Sequence, residues 1–317
     1  MNNFLSINDV NDPMALAKEA LEFKKKPIQH ELHKGKKVGF VFFNPSLRTR
    51  LSSQLAAQNL GADAVVLNIG KDGWALEFEE EVIMDGEKPE HIKEAAGVLG
   101  RYFDVIGIRT FPGLTDREAD YQEKMIQAFS DNTDKPILSL ESATVHPLQS
   151  LADLVTIEEH WKEKRKPKVV LTWAPHVKAL PQAVANSFSQ WMNAADVDFS
   201  ITHPKGYDLA TDYVDDAKVS YDQNEALEGA DFVYVKNWSS YSDYGKVLSQ
   251  DPAWTLSMEH LRNTNEAKVM HCLPVRRGVV IQDEVLDSAQ AIHLDQAENR
   301  VFAAQAVLNQ LLSIKKA

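Results

Sequence analysis

The chain of 317 residues holds a single cysteine, Cys272, so no disulfide can form within it. A reducing cytoplasm is the expected setting. No apolar run approaches the ~18 residues needed to span a bilayer, which argues against a membrane as partner. Residues 1–20, MNNFLSINDVNDPMALAKEA, have neither a basic start nor an apolar stretch, so they do not form a secretory signal. Positive charge is scarce: 34 Lys and Arg against 46 Asp and Glu leave a net charge of −12. That balance excludes nucleic acid as the main partner. The 10 histidines fall at no metal-ligand spacing and there is no thiolate cluster, so neither metal nor cofactor is expected. The sequence also lacks a GxSxG elbow, a Walker loop, a dinucleotide glycine fingerprint and any solenoid repeat.

What remains is the composition of an ordinary globular protein, 44% hydrophobic and 25% charged. The length suits two domains. Short apolar runs at Val38–Phe43, Ala64–Ile69, Val105–Arg109 and Pro136–Leu140 alternate with helical patterns at residues 13–25, 47–60 and 89–103. A second series follows, with strands expected at Lys168–Ala174, Val197–His203, Asp231–Val235 and Lys268–Leu273. Helices are expected from Pro147, over Pro181–Ala194, over Glu225–Gly229 and over Gln296–Leu312. Alternation of this kind predicts an α/β protein with two doubly wound parallel-sheet domains joined by long helices. The division falls at residues 1–145 and 146–295, with the helix of 296–317 packing back on the first domain. Residues 71–91 keep no clean period and read as a mobile loop with a short helical piece.

The stretch VGFVFFNPSLRTR (38–50) organises the chain. A buried strand ends at Pro45, Ser46 caps the next helix, and Gly61 closes it. Two hydroxyls and two guanidiniums, Ser46, Arg48, Thr49 and Arg50, crowd onto a helix N-terminus, where unpaired N–H groups and the dipole favour an anion. The bland alternative, two solvated arginines, sits poorly with that dipole. Other polar groups stand at or near strand ends: Arg109, Glu141, His146, Gln149, His176, Lys236, His271 and Cys272, with Arg276, Arg277 and Arg300 further along. Arg109 reads equally as a ligand contact or a surface ion-pair partner, and Trp74 as a core anchor or a functional loop residue. A donor-rich set suggests electrostatic stabilisation of an oxyanion and a leaving group.

At these residues the chain resembles the aspartate/ornithine carbamoyltransferase family. SLRTR (46–50), RTF (109–111), HPLQSLAD (146–153), HCLP (271–274) and ENR (298–300) match its elements in order. The resemblance implies a carbamoyl-phosphate site made by Ser46, Leu47, Arg48, Thr49, Arg50, Trp74, Arg109, His146, Gln149, Cys272, Leu273 and Arg300. Within it Arg109, His146 and Thr49 hold the carbonyl oxygen, and Cys272 or phosphate itself takes the proton of the attacking amine. Two departures point to the branch that carbamoylates Nα-acylated ornithine. Lys236 stands where an acidic clasp for a free α-amine belongs, and Val275 separates HCLP from Arg276 and Arg277. APHVKALPQAV (174–184) is similar to that branch's proline-containing loop, which implies a knotted second domain. Glu141, His176, Lys236, Pro89 and one of Arg276 and Arg277 then become acylornithine contacts. Pro89 occupies the place of a glutamate in acetyl-using relatives, which implies N-succinyl-L-ornithine ahead of N-acetyl-L-ornithine. Trp74 and its lid loop imply a homotrimer with shared sites. A catalytically silent ligand-binding regulator on the same scaffold is the reading from another class.

Overall fold

The computed structural model describes residues 1–314, which divide into two compact units. The first comprises Met1–Pro112, Glu118–Leu148 and the chain from Arg300; the second comprises Gly113–Arg117 and Gln149–Asn299. Patterning places the boundaries a few residues earlier and does not detect the short excursion at 113–117, which has no periodic pattern of its own.

The first unit is built on a parallel sheet of four strands in the order Asp63–Asn68, Lys37–Phe42, Val105–Arg109, Ile137–Glu141. The central strands are β-branched or aromatic and almost wholly buried, while Asp63–Asn68 alternates in exposure, as an edge strand does. In chain order the strands run second, first, third, fourth, so the winding reverses between Lys37–Phe42 and Val105–Arg109. Right-handed crossovers on either side of that reversal lie on opposite faces and leave a crevice beyond the carboxyl ends of the two strands. Beneath it pack Val41, Ile92, Ile106, Ile108, Ile126 and Phe129, with Phe43, Phe78 and Phe129 meeting edge-on or tilted. The last helix, His293–Leu312, closes this unit from Arg300 onward: Asn309 bonds His33 and Glu19, and Gln305 bonds Asn59 and the Pro27 carbonyl.

The second unit carries a parallel sheet of five strands in the order Lys268–Met270, Phe232–Lys236, Lys168–Trp173, Asp198–Thr202, Lys218–Ser220. Here the reversal lies between Lys168–Trp173 and Phe232–Lys236. Its core runs from Val170 and Val233 to Ile281 and Val285.

The helix expected at 89–103 starts later, at Ile92, capped by the His91 ring, which accepts from the Lys93 N–H. Pro89 is exposed and lies outside the helix; Glu90–His91 instead pairs in parallel with Leu76–Glu77. The loop of 71–91 therefore contains a two-residue ladder where a helical piece was expected. The helix after SLRTR, Arg48–Asn59, turns its small side chains inward. Its buried side is Thr49, Ser52, Ser53, Ala56 and Ala57, while Leu47, Leu51 and Leu55 are 69%, 50% and 48% exposed. Small side chains let this helix lie close to the sheet, and the leucines at spacing four point to solvent.

Candidate active site

In the first unit the switch point is occupied by charge. Arg109 ends its strand and is 6% exposed. Its Nη1 donates to the Asn44 and Pro45 carbonyls at 3.0 and 2.9 Å, tying it to the turn that leads into Ser46. Its Nη2 donates to Glu141 Oε2 at 2.8 Å, and the same carboxylate oxygen lies 3.6 Å from His146 Nε2. The guanidinium also stacks over Phe111, 4.3 Å from the ring centroid. Buried charges are tolerated when paired and hydrogen-bonded. Even so, Arg109 Nε is buried without a hydrogen-bond partner among the described residues. Such a donor is costly to leave unmet and is the kind of group a ligand oxygen satisfies.

Ser46 Oγ accepts from the Thr49 N–H at 3.3 Å, from the position just before Leu47, the N-cap of the helix that Arg48 begins. Thr49 is buried, and its Oγ1 accepts from Arg300 Nη2 at 2.7 Å, which brings the end of the chain to the SLRTR turn. Arg48 is half-buried. Arg50 is exposed and reaches toward Asp72, whose carboxyl is lowered first by hydrogen bonds from Asn68 and in lesser part by Arg50. Leu47 exposes its side chain, so only its backbone can serve a ligand here. Trp74 is 58% exposed, not a core anchor, and donates from Nε1 to Glu90 at 2.6 Å.

The loop that delivers His146 is held by Glu123, which the sequence did not single out. Its carboxylate accepts from the Ser142 hydroxyl (2.6 Å), the Ala143 N–H (3.2 Å), and both the N–H (2.8 Å) and hydroxyl (2.5 Å) of Thr144. Glu123 itself adopts a left-handed φ of 52° to do so. No local pattern announces such a residue, because its partners are distant in sequence.

The second unit gathers a different set at its own switch point. Lys236 ends its strand, is 8% exposed, and gives Nζ to the Asn237 carbonyl at 2.9 Å; no carboxylate pairs with it among the described residues. His176 follows the neighbouring strand. Its Nε2 accepts from Arg276 Nε at 3.2 Å, so the proton sits on Nδ1, which donates to the Lys178 carbonyl at 3.0 Å. Burial, then the charges of Lys236, Arg276 and Lys178, lower the His176 pKa despite a hydrogen bond to the Lys178 backbone. Neutral His176 thus sits among cations. Arg277 is not part of this group: it pairs with Asp283 at 3.2 Å and Asp287 at 2.8 Å.

Gln149 is buried and gives its NH₂ to Asp153 Oδ1 at 2.7 Å. The HCLP turn is braced by two bonds: the His271 N–H donates to Gln296 Oε1 and the Leu273 N–H to His271 Nδ1, both 2.8 Å. Leu273 takes a left-handed φ of 57°, a conformation costing a side-chain-bearing residue roughly 1–2 kcal/mol. Cys272 is half-buried and free of disulfide. Burial, with Asp153 and Cys272 beside it, pushes the Tyr234 hydroxyl well above its ordinary pKa. Among the described residues no group of His, Cys, Asp and Glu could hold a metal, and no helix is long and apolar enough to cross a membrane.

Comparison with known proteins finds two family models that match the chain. Residues 2–159 match the family model for the aspartate/ornithine carbamoyltransferase carbamoyl-P binding domain, and residues 181–311 match the Asp/Orn binding domain. The N-succinylornithine carbamoyltransferase of Bacteroides thetaiotaomicron is 50% identical over 98% of this chain and 99% of its own. The N-acetylornithine carbamoyltransferase of Xanthomonas axonopodis pv. citri is 38% identical over 94% and 92%. A crystal structure of an N-acetyl-L-ornithine transcarbamylase variant complexed with PALAO superposes with a TM-score of 0.92 at 37% identity, covering 98% of this chain and 100% of that one. A glutamate-to-proline variant complexed with carbamyl phosphate and N-succinyl-L-norvaline superposes with a TM-score of 0.90 at 36% identity, with 98% and 100% covered.

Proposed function

The chain belongs to the aspartate/ornithine carbamoyltransferase family, and from that premise we propose that it carbamoylates N-succinyl-L-ornithine. The δ-amine attacks the carbonyl carbon of carbamoyl phosphate, a C–N bond forms, the C–O bond to phosphate breaks, and N-succinyl-L-citrulline and phosphate result, a step of arginine biosynthesis. Ser46, Arg48, Thr49, Arg50, Arg300 and the Leu47 backbone take the phosphate. Arg109, His146 and Thr49 take the carbonyl oxygen, where negative charge grows as the amine adds. Gln149 and the backbone at Cys272 and Leu273 take the carbamoyl NH₂. The amine must shed a proton, since its ordinary pKa is near ~10.4; Cys272 or the departing phosphate receives it.

The observation that carries the substrate reading is the group of Lys236, His176 and Arg276, cationic or neutral throughout. A free α-ammonium would be repelled there, whereas the carboxylates of an N-blocked amino acid are matched. Because Arg277 is engaged with Asp283 and Asp287, Arg276 is the arginine we assign to the acyl end. Glu141 is the acidic contact for the substrate's amine-bearing arm. Pro89 supports succinyl over acetyl: a glutamate there would oppose the succinyl carboxylate by roughly 4 kcal/mol at contact distance and an effective dielectric near 20. The complex of a relative's glutamate-to-proline variant with N-succinyl-L-norvaline supports the same view. We further propose a homotrimer in which Trp74 and its lid loop serve a neighbouring subunit's site; the exposed Trp74 and the solvent-facing Leu47, Leu51 and Leu55 support it. A chain with a single cysteine suits a cytoplasmic enzyme.

Steady-state assays with carbamoyl phosphate and each of succinylornithine, acetylornithine and ornithine test the reading. Succinylornithine should give the highest kcat/KM, and Pro89→Glu should move the preference toward acetylornithine. Comparable kcat/KM for acetylornithine in the native protein overturns the succinyl assignment, and no turnover with any of them revives the silent regulator.

A further inference from the structure

Asp153 has no role in the chemistry above, yet it is completely buried and two side-chain amides converge on one of its oxygens. Gln149 Nε2 and Gln296 Nε2 both donate to Oδ1 at 2.7 Å. An amide has a donor end and an acceptor end of nearly the same shape, and the partners decide which way it points. With its NH₂ turned to Asp153, Gln149 has its Oε1 on the opposite branch of the amide, directed away from that carboxylate. Gln296 turns its NH₂ to the same atom, and its Oε1 accepts the His271 N–H at 2.8 Å. From this we infer that Asp153 is a positioning residue that sets the hydrogen-bond polarity of the carbamoyl-NH₂ site: it turns Gln149 acceptor-outward and, through Gln296, fixes the backbone of the His271–Leu273 turn.

The carbamoyl NH₂ is a donor and needs acceptors. A glutamine free to flip would present its own NH₂ for part of the time, setting donor against donor. The Tyr234 hydroxyl beside Asp153 and Cys272 completes the buried group. This inference rests on the proposed assignment of the carbamoyl NH₂ to Gln149.

Acetyl phosphate carries a methyl group where carbamoyl phosphate carries NH₂, so the pair reads the polarity of this site directly. The experiment measures affinity for carbamoyl phosphate, acetyl phosphate and inorganic phosphate in the native enzyme and in Asp153→Leu. The variant should lose about tenfold in carbamoyl-over-acetyl selectivity, with inorganic phosphate affinity unchanged within about twofold. A general disturbance of the fold would weaken all three ligands alike and overturns the inference, as does unchanged selectivity. Should Asp153→Leu fail to fold, Asp153→Asn keeps the accepting oxygen without the charge, and about a threefold loss in the same ratio is expected. Unchanged selectivity there overturns the inference. Gln149→Leu separates the two layers. If it erases selectivity while the Asp153 variants keep it, this inference alone fails. If Gln149→Leu keeps the selectivity, the assignment of the NH₂ to Gln149 falls and the inference falls with it.

Discussion

Thr49 and Arg300 are separated by 251 positions in the chain and by 2.7 Å in space. Their bond orients a guanidinium whose planar fork suits phosphate oxygens. Thr49→Val keeps the shape of the side chain and removes the acceptor, so Arg300 should lose its alignment. We expect KM for carbamoyl phosphate to rise about tenfold with a smaller change in kcat, checked by initial-rate kinetics. His176 gives a prediction in pH. Its folded pKa lies below the ordinary 6.5, chiefly through burial. The unfolded chain therefore takes up the proton first. The contribution of His176 to stability is complete above 6.5 and is lost as pH falls from 6.5 toward the folded value. Protonation also removes the acceptor that holds Arg276. The KM for acylornithine should stay flat down to 6.5 and climb only as pH falls through the lower folded value, and His176→Asn should remove that acid limb.

At the scale of elements, the turn between the Arg48–Asn59 helix and its edge strand depends on one glycine. Gly61 has φ +82°, and a Cβ there would meet the His30 carbonyl oxygen at 1.7 Å. Gly61→Ala combines a left-handed backbone with a clash against main chain, and we expect at least about 2 kcal/mol of destabilisation, seen as a lower melting temperature. This turn was legible in the sequence, as were the strands and the polar groups at their ends. Runs such as Val105–Arg109 announce themselves locally, and the end of a parallel strand is a place defined by topology. The face of the Arg48–Asn59 helix was not legible. Leucines at helical spacing normally mark the core side, but here Ser52, Ser53, Ala56 and Ala57 are buried because close approach to the sheet outweighs apolar area. Pro89 was misplaced as a helix start because proline does favour that position, while the ladder of Leu76–Glu77 with Glu90–His91 draws it away. Asp153 stood inside the HPLQSLAD motif, one turn from Gln149. Its second partner, Gln296, lies 143 positions on, and only tertiary structure joins them.

For the whole molecule, two reversed windings yield two different kinds of site. The first unit offers a guanidinium paired with a carboxylate that a histidine also approaches; the second offers a lysine with no carboxylate paired to it among the described residues. Both are set in a chain of net charge −12, so at each switch point positive charge gathers against the sign of the whole molecule. The same scale holds the test of assembly. Leu51→Glu with Leu55→Glu places two charges on the exposed leucine stripe, which changes nothing inside the unit. Sedimentation should report a trimer for the native protein and a smaller species for the double variant, with activity reduced in step because Trp74 would lose its neighbour.

The path of the chain through the first unit has one further effect. Its four strands and the SLRTR turn leave the ribosome early, but the helix that closes it begins to contribute only at Arg300, after the entire second unit has been synthesised. Throughout that interval the nascent protein carries the proposed phosphate cradle without its last guanidinium, and on that proposal a polypeptide released prematurely would lack the grip of Arg300 on the acyl phosphate.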